Sequence, residues 1–227
     1  LANDVSTKVI LMYIEDLTSG KKFIEIASKI TGETRKRKPI LALKGGESVI
    51  GAKSIASHTG ALAGSKEAYT AIFAQSGVLR VETLEELFDY AIAFAYQPIP
   101  SKEGTVVVSN AGGPATIVAD AAAKYNLYLS RIDKTTINKL VKILPKTASL
   151  INPIDIIGDA DHTRYEKALR IIQKDANVDS CIVVSTPQMM LNMESLVDVM
   201  VKINREFRGK ITILSCMMAI SGIDNAL

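Results

Sequence analysis

Pro39-Ile40-Leu41-Ala42-Leu43-Lys44-Gly45-Gly46 is the stretch on which the fold turns. Its first half is an apolar run of strand length with no polar alternation, the pattern of a strand buried on both faces of a parallel sheet. From Gly45 to Gly64 the chain is rich in small residues and holds five glycines. That span reads as one long connection, of a length that inside a compact domain is usually functional or disordered. Glycine lets a backbone turn sharply and approach a ligand closely. His58 sits late in it, between Ser57 and Thr59. A helix is expected from Ser65 to Ser76, ended by Gly77.

Outward from this stretch the same alternation of elements recurs. Lys8 to Ile14 (KVILMYI) is a second continuous apolar run, and a strand is expected over Val78 to Val81. Helices are expected over Gly20 to Thr31, stopped by Gly32, and after the Thr83-Leu84-Glu85-Glu86 capping box. The latter carries Leu84, Leu87, Phe88, Ala91, Ile92 and Ala95 on one apolar stripe. Strands alternating with helices mean a parallel sheet with helices on its faces. Gln97 to Gly104, with Pro98 and Pro100, breaks the pattern as a linker. A second unit follows: strand Thr105 to Ser109, helix from about Pro114 to Tyr125, helix Lys134 to Leu144, loop Pro145 to Asp161. Then come a helix capped by Thr163 and Glu166, strand Val178 to Ser185, helix Leu191 to Phe207 and strand Ile211 to Met217.

The chain has 227 residues, 48% hydrophobic and 22% charged, with a net charge of +3. At about 100–150 residues per domain, that length fits two domains, each with its own core. The basic run Arg35-Lys36-Arg37-Lys38 has no aromatic interleaving for base stacking and reads as a solvated connector. Nucleic acid is therefore not an expected partner. No apolar run reaches the roughly 18 residues of a membrane span, so no membrane role is expected. Cys181 and Cys216, each in an apolar strand, read as small core residues in a reducing compartment, which fits the cytoplasm. The spacing of neither zinc sites, P-loops nor serine triads is present, and no metal site is expected. The G-x-G-x-x-G pattern of a dinucleotide site is missing too.

Three groups of residues carry candidate chemistry. A neutral imidazole attacks phosphorus with one ring nitrogen when the other is held by an acceptor, which gives His58 a role as phosphoryl nucleophile. Alone, a histidine in this setting reads equally well as a surface residue. Glu15 and Asp16 follow the first strand at its carboxyl end, where open α/β sheets bind ligands. Helix capping explains them as well. Asn110-Ala111-Gly112-Gly113-Pro114 joins a strand to a helix N-terminus, an anion-binding corner, though many α/β proteins have such turns for packing alone. Asp155 and Asp159, in the loop after Asn152-Pro153, orient a substrate or form turns. His162 reads as an exposed loop residue.

Ser57-His58-Thr59-Gly60-Ala61-Leu62-Ala63-Gly64-Ser65, with Ser76-Gly77-Val78, closely resembles the phosphohistidine segment of the ADP-forming (NDP-forming) acyl-CoA synthetases of the succinyl-CoA synthetase superfamily. Tyr13-Ile14-Glu15, Ala42-Leu43-Lys44, Asn110 to Pro114 and Asn152 to Asp155 also resemble that family's blocks, in its order. The resemblance implies an α/β fold: two flavodoxin-like domains with parallel sheets, both incomplete, over residues 1–97 and 105–227 with a linker at 98–104. It implies the reaction acyl-CoA + ADP + phosphate = acid + ATP + CoA, through an acyl phosphate and a phosphohistidine. His58 and Glu15 are its catalytic residues. Its phosphate- and substrate-binding set is Ser57, Thr59, Gly60, Asn110, Ala111, Gly112, Gly113, Asn152 and Asp155. CoA and Mg-ADP/ATP would be bound mainly by a CoA domain and an ATP-grasp domain or subunit that these residues do not include, in a homo- or hetero-oligomer. No covalent cofactor is implied beyond the transient phosphate. A second implication is a silent, ligase-like sensor region of a protein acetyltransferase.

Overall fold

A computed structural model of the chain describes residues 1–32, 37–59, 65–100, 102–207 and 209–218, without the side chains of His58 and Thr59. The chain divides into two compact units, Leu1–Tyr96 and Gln97–Leu227.

The first unit runs β1 (Ile10–Ile14), α1 (Gly20–Gly32), β2 (Ile40–Lys44), α2 (Val49–Thr59), α3 (Lys66–Ser76), β3 (Leu79–Val81) and α4 (Leu84–Tyr96). Its three strands are parallel in the order β1-β2-β3, with Ile14 opposite Lys44 in register. Alternate residues of β2 face opposite sides. Ile40 and Ala42 join Ile10, Ile14, Tyr69 and Phe73 in one core cluster, whereas Leu41 joins Val81 and Leu87 in another. Both faces of β2 are thus covered, as its unbroken apolarity required.

The long connection after β2 is shorter than its composition suggested, because α2 occupies Val49–Thr59. Ser48 caps it: its Oγ accepts from the Gly51 N–H at 3.0 Å. The alanines and lysine that read as a small-residue loop are also good helix formers. Ile55, 6% exposed, is the buried hydrophobic residue of α2, and it packs on the turn. Gly46 has φ +74° there, and a β-carbon on it would lie 2.1 Å from Ile55 Cδ1. Only glycine fits both constraints. α3 begins and ends as expected, with the Ser65 Oγ accepting from the Ala68 N–H and a left-handed Gly77 at its C-terminus.

The α4 stripe divides differently. Leu87, Ala91 and Phe94 pack on the sheet, while Leu84, Phe88 and Ile92 are more than half exposed. The helix is apolar nearly all round, so spacing alone could not choose its buried face. Thr83 Oγ1 caps Glu86 N–H at 3.0 Å, but the Glu86 carboxylate reaches back to Glu82 N–H rather than to Thr83.

The second unit contains β4 (Thr105–Ser109), α5 (Gly112–Lys124), α6 (Lys134–Leu140), β5 (Ile154–Asp155), α7 (His162–Ile172), β6 (Ser180–Ser185), α8 (Met193–Glu206) and β7 (Thr212–Met217). Its parallel sheet has the order β5-β4-β6-β7. β5 was hidden in the expected loop because it is only two residues long. α7 is capped by Asp161, whose Oδ1 accepts from Arg164 N–H at 2.8 Å, not by the Thr163 box. His162 is accordingly the first helical residue and half-buried, rather than exposed in a loop. Tyr165 is fully buried and donates to Val184 O at 2.8 Å; burial pushes its phenol well above the ordinary range. Cys181 is buried and its thiol is pushed up to about 12 by that burial. Cys216 is exposed, contrary to the expectation of two core thiols, because among the described residues β7 pairs with β6 alone, leaving Leu214 to Cys216 open. Arg35 and Lys36 lie outside the described residues, and Lys38 donates to the Leu1 and Asp4 carbonyls.

Candidate functional site

In the first unit the carboxyl ends of β1 and β2 meet through the Gly45 N–H, which donates to Ile14 O at 3.0 Å. Glu15, half-buried, follows β1 there, with the Tyr13 hydroxyl 3.5 Å from its Oε1. Tyr13 packs against the turn so closely that a β-carbon on Gly45 would lie 2.5 Å from its hydroxyl. Asp16 is directed elsewhere and accepts the Tyr69 hydroxyl at 3.0 Å. Burial and that carboxylate together push the Tyr69 phenol up to about 12. The turn is anchored by Glu47, which pairs with Arg80 Nη2 at 2.6 Å; Arg80 also donates to Thr70 Oγ1 and pairs with Glu82.

His58 is the penultimate residue of α2, and its backbone belongs to the last helical turn. Its imidazole, the Thr59 side chain and Gly60 lie outside the described residues. Ser57 is exposed, and its hydroxyl donates back to Ser54 O at 2.6 Å. The expected mobile loop around the histidine is therefore a helix up to Thr59. The arrangement puts the Glu15 carboxylate at the strand ends from which the α2 segment departs.

Lys44 is a residue that sequence reasoning quoted in the Ala42-Leu43-Lys44 block without giving it a role. It is 7% exposed, its Nζ lies 4.7 Å from the centre of the Tyr69 ring, and it donates to Gly45 O. A charged residue ending an apolar strand, on the same face as Ile40 and Ala42, was the available signal.

In the second unit the strand order reverses between β4 and β6, where open α/β sheets leave a crevice. Asn110, 1% exposed, fills it. Its Nδ2 donates to Thr186 O at 3.0 Å, and its Oδ1 accepts from Thr186 N–H at 2.9 Å and Oγ1 at 3.0 Å. Asn152 is also engaged internally. Its Nδ2 donates to Thr105 O and Ser130 O at 2.8 and 3.0 Å, and its Oδ1 accepts from Val107 N–H at 2.9 Å. β5 is too short to pair this part of β4, and the amide stands in for the missing strand. Both amides, expected to hold a ligand, are engaged with the chain's own backbone, which a side-chain amide complements as well as it complements a ligand.

Ala111 caps α5 without a side-chain bond, and Pro114 stands third in the helix rather than first. The Ala111 N–H is taken by Ser109 Oγ at 3.0 Å. Gly112 and Gly113 open the helix, where the first N–H groups have no intrahelical acceptor. The Asp155 carboxylate approaches it, since a β-carbon on Gly112 would lie 3.4 Å from Oδ2. Asp155 Oδ1 accepts from Ile157 N–H at 2.8 Å and holds Ile157 at φ +72°. Asp155 thus forms a turn, and Asp159 pairs with Arg164, whose guanidinium holds its carboxyl below the usual range. Among the described residues there is no cluster suited to a metal ion, and no helix is long and apolar enough to cross a membrane.

Residues 1–94 match the succinyl-CoA ligase-like flavodoxin domain, and residues 105–223 match the Ligase-CoA domain. The chain belongs to the succinyl-CoA synthetase superfamily. Among curated members of it, the 4-hydroxybutyrate–CoA ligase [ADP-forming] of Nitrosopumilus maritimus is 44% identical over 99% of this chain, which spans 32% of that protein. The acetate–CoA ligase [ADP-forming] II subunit alpha of Pyrococcus furiosus is 41% identical over 81% of the chain, with 39% of its own length covered. A solved dinucleotide-forming acetyl-coenzyme A synthetase 1 of Candidatus Korarchaeum cryptofilum, in complex with phosphate and ADP, superposes with a TM-score of 0.92 at 31% identity. That match covers 99% of this chain and 48% of the solved one. The chain thus spans between a third and a half of these superfamily members. The resemblance read from the sequence blocks, and the two parallel flavodoxin-like sheets it implied, are as found.

Proposed function

We propose that this chain is the phosphoryl-carrying part of an ADP-forming acyl-CoA ligase, which converts acyl-CoA, ADP and phosphate into acid, ATP and CoA. The observation that carries the reading is likeness over nearly the whole chain, at 44% identity, to a relative named as such a ligase. The sensor alternative has no observation in its favour, since every relative named above is a ligase or synthetase.

In this reading phosphate attacks the thioester carbonyl, the C–S bond breaks, and CoA leaves as thiol to give an acyl phosphate. An imidazole nitrogen of His58 then attacks phosphorus and the acid leaves as carboxylate. ADP takes the phosphoryl group from His58 to form ATP. Glu15 accepts from the other ring nitrogen, fixes the tautomer and favours the developing imidazolium. Ser57, Thr59, Gly60 and the Gly112 and Gly113 backbone donors supply contacts to phosphoryl oxygens. Residues 1–97 carry the phosphohistidine and 105–227 form the second ligase domain. An ATP-grasp domain or subunit supplies the nucleotide site; two relatives from Pyrococcus furiosus are named as alpha subunits, which supports a partner chain. CoA and Mg-ADP/ATP bind mainly there and on a CoA domain. The cytoplasm suits these substrates and two unpaired thiols.

The test uses the intact enzyme with γ-labelled ATP and magnesium. Acid-labile, base-stable label on the wild type that disappears in His58→Ala and falls at least tenfold in Glu15→Ala is expected. A wild type that binds nucleotide and takes no label overturns the reading.

A further inference from the structure

A buried ammonium is unfavourable unless a counter-charge or a full set of acceptors replaces its water. Lys44 meets this condition only in part. It is buried, at 7% exposure. The Gly45 carbonyl takes one N–H, and the Tyr69 ring face, 4.7 Å from Nζ, supplies a cation–π contact. Among the described residues no carboxylate forms an ion pair with it. The nearest acid along this network, Asp16, is joined instead to the Tyr69 hydroxyl, which it orients. The ring is thereby locked in place, since Tyr69 itself is 3% exposed. The cation is held in position by neutral groups and left unneutralised.

Its place in the sheet says what would neutralise it. Lys44 is the last residue of β2, opposite Ile14 in register, at the carboxyl end of parallel strands where ligands bind. The next residues, Gly45 and Gly46, form the turn that leads into α2 and His58. We propose that Lys44 is a phosphoryl-binding residue, its ammonium pairing with the dianionic oxygens of inorganic phosphate or of the phosphoryl group in transfer. This rests on the ligase reading above and extends it by giving a role to the lysine that ends the Ala42-Leu43-Lys44 block. An ammonium is a compact point charge with rotatable donors, suited to an anion that arrives and departs.

The experiment compares the intact wild-type enzyme with Lys44→Met and Lys44→Arg in the ATP-forming direction, with phosphate varied at saturating acyl-CoA and ADP. The expected result is a KM for phosphate raised about tenfold or more in Lys44→Met, in line with the loss of one charge-assisted contact. KM for ADP and acyl-CoA should change less than twofold, and Lys44→Arg should recover part of the loss. A folded Lys44→Met enzyme with wild-type KM for phosphate and wild-type labelling overturns the proposal. Parallel labelling with γ-labelled ATP separates the two phosphoryl sources. Loss of label at unchanged phosphate KM assigns Lys44 to the group in transfer; loss in both assigns it to the shared site. If neither variant folds, the wild type alone carries the test. Inorganic phosphate should slow acetylation of Lys44 by acetic anhydride relative to Lys8, read by mass spectrometry, and an unchanged ratio overturns the proposal. An active wild type with an indifferent Lys44 refutes this proposal alone. A wild type without phosphate-dependent activity refutes the ligase reading with it.

Discussion

Asn152→Ala separates a structural from a ligand-binding reading of the second unit. The amide makes three hydrogen bonds, to Val107 N–H, Thr105 O and Ser130 O. Thr105 O keeps a partner without it, because Ser130 N–H also donates there at 2.8 Å. Val107 N–H and Ser130 O lose the partner that Asn152 provides, and Val107 and Ser130 are 0% and 2% exposed. A buried polar group left unpaired costs roughly 1–3 kcal/mol, so the pair should cost about 3 kcal/mol once some water enters. In a unit of this size that corresponds to a fall in Tm of about 10 °C. Asn152→Asp should do as much harm or more. It keeps the acceptor for Val107 but sets a carboxylate against two carbonyls. The assay is calorimetry of the intact enzyme, with phosphohistidine labelling per folded molecule at a temperature where both proteins are native. A large drop in Tm with labelling little changed is expected. An Ala variant with Tm within about 2 °C of wild type but labelling reduced tenfold would refute the reasoning and return Asn152 to the substrate.

Gly104→Ala should destabilise by about 3 kcal/mol or more, measured by urea denaturation, because its β-carbon would lie 2.0 Å from the Asn177 carbonyl oxygen, a backbone atom that cannot swing away. Tyr69→Phe should change how stability depends on alkali. The Tyr69 phenol is raised from 10.0 to about 12, so the unfolded chain loses its proton first and wild-type stability falls as pH rises from 10 to 12. Relative to the Tyr69→Phe variant that fall should approach roughly 3 kcal/mol, with a constant difference below pH 9; a difference that stays flat to pH 12 would refute the assigned cause. With a thiol reagent at neutral pH the native chain should react at Cys216 and spare Cys181, which becomes reactive only on denaturation; equal rates would contradict the burial of Cys181.

The parallel sheets were legible because they rest on a signal that composition cannot disguise. A strand covered on both faces is apolar through its middle, and Ile40–Leu43, Val106–Val108 and Cys181–Val184 are. The features that escaped are those where two structures share one chemistry. Small residues without β-branches make a loop in isolation and a helix when a cap and one buried anchor are supplied, which Ser48 and Ile55 do for α2. Apolar residues on every side of α4 satisfy two opposite placements, and only the sheet decides that Leu87 rather than Phe88 is inside. Asn110 and Asn152 look the same in sequence whether their amides meet a ligand or the unpaired edge of a strand. Glu15 and Asp16 were equally ambiguous in sequence; in the structure Asp16 binds the Tyr69 hydroxyl, whereas Glu15 has the Tyr13 hydroxyl 3.5 Å away. The same reasoning, run in reverse, singles out Lys44. It ends an apolar strand, on the face of Ile40 and Ala42, where local consistency calls for another aliphatic side chain. A residue that breaks its local pattern, is buried regardless, and finds only neutral partners among the described residues is the one to test for a role beyond the fold.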